Sequence, residues 1–303
     1  MPIILPNGLA SAALLRREGV EVLHPPPGSD AVLRIGLLNL MPDMTRTEMQ
    51  FGRLLGGTRH HVEMVLAIPQ SYRRGHVGAE TYSRWDELSL PPRLDGLIVT
   101  GAPLEHLPFE DVRYWRELTE IFGWAARNVG STLYVCWAAF AALHRFHGVR
   151  TRVLPHKISG VFQQHPVEMG DPLMAGFESA FPCPVSRRAE IDSRDIPWCR
   201  GLSCLAQSFE SGICLIADPT FHAHYMFNHI EYDADTLKLE YLRDSAQRAA
   251  TTLPQNYLLN DDLAQEPPFR WRVAARQLFS NWLAHVAADS HSNPASRLAR
   301  SAA

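Results

Sequence analysis

The sequence predicts an α/β fold, a doubly wound and mostly parallel sheet that continues into a mixed or antiparallel extension. Two features carry that expectation. Up to Gly148, apolar runs of strand length alternate with segments long enough for helices, the pattern of a parallel sheet with crossover helices. Beyond Gly148 the apolar runs become shorter and are punctuated by Pro and Gly, which suits strands joined by tight connections.

In chain order, residues 1–30 are expected to form an N-terminal helical arm, residues 31–288 the α/β domain and residues 289–303, rich in Ser and Ala, a frayed tail. Residues 32–40 (VLRIGLLNL) are apolar enough for a buried parallel strand. The MPDMT turn then leads into a helical pattern at Met49, Leu54 and Leu55, with Thr45 and Glu48 spaced as a capping box. Residues 62–68, 96–100 and 132–136 read as further strands. In the second half, residues 160–162, 204–207, 213–217 and 223–227 read as strands of the extension. One helix is expected over 235–248 and another over 271–288, the latter with Val273, Leu278, Trp282, Leu283 and Val286 at helical spacing. No internal repeat or low-complexity block interrupts the chain.

The 303 residues are 46% apolar and carry a formal net charge of -3, with basic and acidic side chains interspersed. No basic patch suits nucleic acid or an anionic membrane, so small molecules are the expected partners. The first fifteen residues lack the basic, apolar and small-residue order of an export signal, and no run reaches the roughly eighteen apolar residues of a membrane span. A cytoplasmic location is therefore expected. The five cysteines, Cys136, Cys183, Cys199, Cys204 and Cys214, show no C-x-x-C pair, so reduced thiols and no metal site are expected. The oligomeric state is left open, a homodimer being one option.

Cys136 stands where the β-branched and aromatic run TLYVC gives way to the alanine-rich stretch WAAFAALHRF. A sharp strand-to-helix turn of this kind exposes a nucleophile at the carboxyl end of a strand, and the helix N-terminus favours its thiolate. The backbone N–H of Trp137 would face a developing oxyanion. A cysteine at a strand end also serves as a small buried hydrophobe, and packing is the expected role of the other four. In HYMFNHIEYDADTL, His229 and Glu231 are two residues apart, so an extended backbone points both to one side. They fit as the base and its orienting carboxylate in a Cys–His–Glu triad, although a surface His beside an unrelated Glu would show the same spacing.

The chain resembles the homoserine O-acyltransferases of methionine biosynthesis that are built on a class I glutamine amidotransferase-like fold. The resemblance runs from about Leu5 to His285 through IGLLNLMPDMTRTEMQFGRLL, DGLIVTGAPLEHLPFEDVRYW, STLYVCWAAFAAL, KISGV, HIEYDADTL, LRD, QNYLLND and LFSNWL. It implies an acyl-thioester on Cys136, with His229 and Glu231 completing the triad, and substrate contacts from Lys157, Ser186 and Arg243. It implies no permanently bound cofactor, with acetyl-CoA or succinyl-CoA as co-substrate. The residue after TGAPL is associated with donor choice, Glu with acetyl-CoA and Gly with succinyl-CoA; here it is Glu105. A succinyl carboxylate held about 4 Å from another carboxylate would cost roughly 4 kcal/mol at an effective dielectric near 20.

The family usually reads G-H-P-E around its His, where this chain has Asn228-His229-Ile230-Glu231, and PCPV precedes Ser186 where a His is frequent. Acetyl transfer to homoserine is the expected reaction. Succinyl transfer, or the same chemistry on a related hydroxy amino acid such as serine, stays open. Two other classes are a glutamine amidotransferase-like thiol hydrolase and a binding protein that has lost its activity; the continuous family blocks oppose the first and the intact triad opposes the second.

Overall fold

The computed structural model describes residues 1–24, 32–72, 81–88, 94–196, 198, 201–247 and 251–292. In chain order the elements are β1 (Ile3–Ile4), α1 (Ala10–Arg17), β2 (Val22–Leu23), β3 (Leu33–Leu38), α2 (Met44–Gly56), β4 (Val62–Ile68), β5 (Ser83–Arg84), α3 (Trp85–Leu88), β6 (Gly96–Val99), α4 (Trp115–Asn128), β7 (Ser131–Val135), α5 (Trp137–His147), β8 (Arg152–Pro166), β9 (Phe181–Glu190), β10 (Ser203–Ser208), β11 (Gly212–Asp218), β12 (Ala223–Met226), α6 (Thr236–Gln247) and α7 (Arg272–Ser292).

The strands join in one sheet in the order β2-β1-β4-β3-β6-β7-β12-β11-β10-β8-β9, with β5 paired to β4. Pairings from β2 across to β12 are parallel, and those from β12 to β9 are antiparallel. This is the expected doubly wound sheet with its antiparallel extension. Alternation along the strands divides the core into two layers. Leu37, Ile98, Leu133 and Val135 pack on the side of α2 and α7, with Phe51, Leu55, Phe279 and Trp282. Leu38, Leu97, Val99 and Tyr134 face α4 and α5, with Leu118, Phe122 and Leu143. Ala138, Ala139, Ala141 and Ala142 are fully buried, so small side chains let α5 lie close against the sheet.

Two expectations differ from the structure here, and one strand was not foreseen. Residues 1–24 are no separate helical arm: β1 pairs with β4, and Ile3, Leu5 and Leu15 belong to the main core. The cap of α2 is Asp43, whose carboxylate accepts from the Arg46 N–H at 3.0 Å. Glu48 instead turns inward and accepts hydrogen bonds from Ser11 and Tyr82, because the α2 face that carries it packs on α1. Strand β9, which carries Ser186, gave no periodic signal; its Pro182 and Pro184 and charged positions disguise a ladder with β8. Helix α7 extends to Ser292, while Cys199, Arg248 and the tail beyond 292 lie outside the described residues.

Gly160 on β8 shows how tightly the second half is joined. A Cβ there would stand 2.3 Å from the backbone oxygen and 2.8 Å from the nitrogen of Gln255, whose N–H donates to Ser159 O at 2.8 Å. Gly160→Ala must therefore push residues 253–258 off the strand. The expected loss is about 1–3 kcal/mol of unfolding free energy by denaturant titration, and an unchanged midpoint would show that this junction yields freely.

Candidate active site

Strands β7 and β12 are neighbours in parallel register, Val135 opposite Met226, so the residues that follow each strand emerge side by side at the carboxyl edge of the sheet. Cys136 follows β7 directly, and its N–H donates to Met226 O at 2.7 Å. Its backbone has φ 51° and ψ -118°, a sparsely populated conformation for a residue with a Cβ. Such a bend allows the chain to reverse from strand into α5 within one residue and leaves the sulfur at the tip. Trp137 is the first residue of α5, where a helix leaves its leading N–H groups without intrahelical acceptors. Gly101, after β6, lies against the same turn: a Cβ there would meet Cys136 Cβ at 3.2 Å and His229 Cε1 at 3.8 Å.

After β12 the chain bends through Asn228, whose amide oxygen accepts from Arg187, itself fully buried and also bonded to the carbonyls of Ala189 and Ser211. His229 N–H donates to Pro184 O at 2.9 Å, tying the segment to β9. His229 is 3% exposed; its Nδ1 lies 2.7 Å from Glu231 Oε1, and the ring lines the same cavity as Cys136, close enough for the two to interact electrostatically. Burial works against charge on this imidazole, but the Cys136 and Glu231 charges and hydrogen bonds outweigh it and hold His229 well above the ordinary imidazole value. Tyr232 stacks on the ring at 4.1 Å between centroids, with the planes 19° apart.

One cavity is lined by Cys136, Trp137, His229, Lys157, Ser186, Arg243 and Glu105, every side chain singled out from the sequence except Glu231, which stands behind His229. Lys157 from β8 lies 3.2 Å from Glu240 and 2.9 Å from Asp244. Ser186 donates to Glu240, as does Tyr232 at 2.7 Å. Burial alone would raise the Glu240 pKa, yet Lys157 and these donors keep it below the ordinary carboxylate value. The half-exposed guanidinium of Arg243 is held by Asp244 through Nε at 2.9 Å and Nη2 at 2.8 Å. Tyr232, Glu240 and Gly101 were missed from the sequence. Glu240 had a legible signal, since it precedes Arg243 by three residues and so shares its face of α6.

The remaining described cysteines are poor nucleophiles or lie elsewhere. Burial pushes the Cys183 thiol well above its usual value and that of Cys204 up to about 11, and neither borders this cavity; Cys214 is buried in the core.

This fold is shared with class I glutamine amidotransferase-like proteins. A glutamine amidotransferase from Thermotoga maritima superposes with a TM-score of 0.57 at 12% identity, covering 84% of this chain and 98% of that one. One from Methylobacillus flagellatus does so with a TM-score of 0.57 at 14% identity, covering 85% and 96%. In sequence, the family described as homoserine O-succinyltransferase matches residues 2–292. Proteins named homoserine O-acetyltransferase from Brucella melitensis biotype 1 and Brucella suis biovar 1 are each 43% identical over 93% of this chain and 94% of their own length. The chain belongs to the homoserine O-succinyltransferase family and is an acyltransferase. Among the described residues no helix is long and apolar enough to cross a membrane.

Proposed function

We propose that the protein is a homoserine O-acetyltransferase that carries the acetyl group from acetyl-CoA on the sulfur of Cys136. The observation that supports this most directly is the Cys136–His229–Glu231 arrangement on adjoining strand ends, beside a cavity holding both fixed cations and a buried carboxylate. The thiolate attacks the thioester carbonyl while the Trp137 N–H stabilises the oxyanion, and the His229 imidazolium gives its proton to the departing CoA sulfur. Acylation removes one of the two negative charges that hold the imidazolium in place, so His229 becomes a base at the stage that needs one. It then takes the proton of the homoserine hydroxyl as that oxygen attacks the acyl-cysteine. Collapse releases O-acetylhomoserine and restores the thiolate beside the protonated ring.

Arg243 and Lys157 suit the amino-acid carboxylate, and Glu240, the buried carboxylate between Lys157 and Ser186, suits its ammonium group. Glu105, half-buried at the cavity wall, favours the uncharged acetyl group over succinyl by like-charge repulsion. A reducing compartment such as the cytoplasm suits a chemistry that needs Cys136 as a free thiol.

The test is CoA release from acetyl-CoA and succinyl-CoA against homoserine and serine, with products identified by mass. Acetyl-CoA with homoserine is expected to give the highest kcat/KM; a preference for succinyl-CoA or for serine would overturn the donor or the acceptor assignment respectively. Glu105→Gly is expected to shift the succinyl-to-acetyl ratio of kcat/KM upward by roughly tenfold or more, less than full burial of two like charges would give because solvent screens this site. An unchanged ratio would remove Glu105 from donor choice.

A further inference from the structure

We infer that the groove running from Trp137 to Arg150 holds the pantetheine arm and phosphates of the acyl-CoA donor, so that donor and amino acid reach Cys136 from different walls of the site. This inference rests on the acyl-cysteine reading above and adds to it the donor's path.

A second cavity of about 400 Å³ adjoins the nucleophile cavity and shares Glu105, Trp137, Phe140 and Ala189 with it. Lys157, Ser186, Glu240 and Arg243 border the first of these two cavities and not the second. The amino-acid side of the site therefore faces away from this groove, leaving the groove for the larger substrate. A larger cleft of about 890 Å³, lined by ion-paired Arg46, Arg53, Asp233 and Asp235, shares no residue with the nucleophile cavity and offers no route to the sulfur.

The chemistry of the groove follows that of the donor. A pantetheine arm is a narrow chain with two amides and a branched apolar segment, ending in phosphates. Trp137 Nε1 and Thr151 Oγ1 are buried and have no hydrogen-bond partner among the described residues, and both residues line this groove. Buried donors without acceptors are costly unless a ligand supplies them, and amide carbonyls of the arm would do so. Leu107, 36% exposed, and Val153, 60% exposed, also line the groove and give it apolar surface suited to the branched segment.

Arg150 is the exposed arginine of the groove and makes no ion pair among the described residues, whereas nearby Arg152 is held by Glu190 at 2.5 Å. A guanidinium in that state suits a phosphate. Two carboxylates also border the groove. Glu110 is turned to His144 at 3.3 Å, and Glu105 stands at the junction of the two cavities, where the acyl group rather than a phosphate would pass.

The test is the rate of acyl-Cys136 formation, followed by intact-protein mass, with acetyl-CoA and with acetyl-pantetheine, which lacks every phosphate. Arg150→Ala is expected to raise the acetyl-CoA concentration for half-maximal acylation roughly tenfold while leaving acetyl-pantetheine and the homoserine KM unchanged. Thr151→Val is expected to weaken both donors severalfold, because it borders the arm rather than the phosphates. An Arg150→Ala protein that treats acetyl-CoA as wild type does, or that loses both donors equally, would overturn the groove assignment alone. Wild-type protein acylated by neither thioester would overturn the acyl-cysteine reading and the groove with it.

Discussion

Cys136→Ser is expected to lower turnover by roughly 10⁴-fold or more, in line with the loss seen when a nucleophile that acts as a unit with its base is removed. Serine nearly matches cysteine in size, so the positive-φ turn and the hydrogen bond from residue 136 to Met226 O should persist and the melting temperature should stay close to wild type. What disappears is the interaction with the sulfur that helps to raise His229. A hydroxyl stays protonated near neutrality, so the His229 imidazolium loses one of the two anions that sustain it and the ring drifts toward its ordinary value. Intact-protein mass after mixing with acetyl-CoA should show an acyl adduct on wild type and none on the variant. Full turnover by the variant, or an adduct that maps to another residue, would displace Cys136 from the mechanism.

The same turn explains why the sulfur is usable at all. A residue with φ 51° and ψ -118° carries backbone strain of order 1–3 kcal/mol, tolerated only where the surroundings over-determine it. Here the restraints are the β7 ladder to β6 and β12, the Cys136 N–H bond to Met226 and the buried alanine face of α5. Gly101 completes the enclosure, since a side chain at that position would press on Cys136 and His229. The thiol is thus half-buried on a rigid frame, with His229 on the adjoining strand end.

Much of this frame was legible in the sequence because it is local. Strands β3, β4, β6 and β7 announce themselves as apolar runs, and the change from TLYVC to an alanine-rich helix marks the turn at Cys136. The position of β12 beside β7 is not local: the whole of residues 136–222 lies between them, and only the register of the assembled sheet sets His229 next to Cys136. Residues 228–232 are also not an extended strand, as the H-x-E spacing suggested; they form a bend after β12, and the His229–Glu231 contact arises from that turn. The Thr45–Glu48 spacing misled for a related reason. Glu48 has tertiary partners in Ser11 and Tyr82 that no local pattern reveals, and Asp43 was free to cap the helix. Glu240 and Tyr232 entered the site through packing of α6 and of the bend against β8 and β9, contacts between segments far apart in sequence.

Glu231→Gln separates orientation from charge. The amide can still accept from His229 Nδ1 with its oxygen, so the ring stays in place, but the carboxylate no longer favours the imidazolium and the folded-state pKa of His229 falls. Turnover is expected to drop by roughly 10²–10⁴-fold, the range typical of removing the charge behind a catalytic histidine. The pH profile carries the sharper information. Deacylation needs a neutral ring, so its acid limb should move to lower pH; acylation needs the thiolate–imidazolium pair, so its alkaline limb should move the same way. Stability obeys the same sign. A raised folded pKa contributes stabilisation that is complete below the unfolded value of about 6.5 and is lost as pH rises through the folded value. The stability deficit of the variant attributable to His229 should therefore shrink as the solution is made alkaline, measured by denaturant midpoints across pH. A variant that loses activity with both limbs unmoved would mean that Glu231 serves only to hold the bend, and that the charge on His229 is set by Cys136 alone.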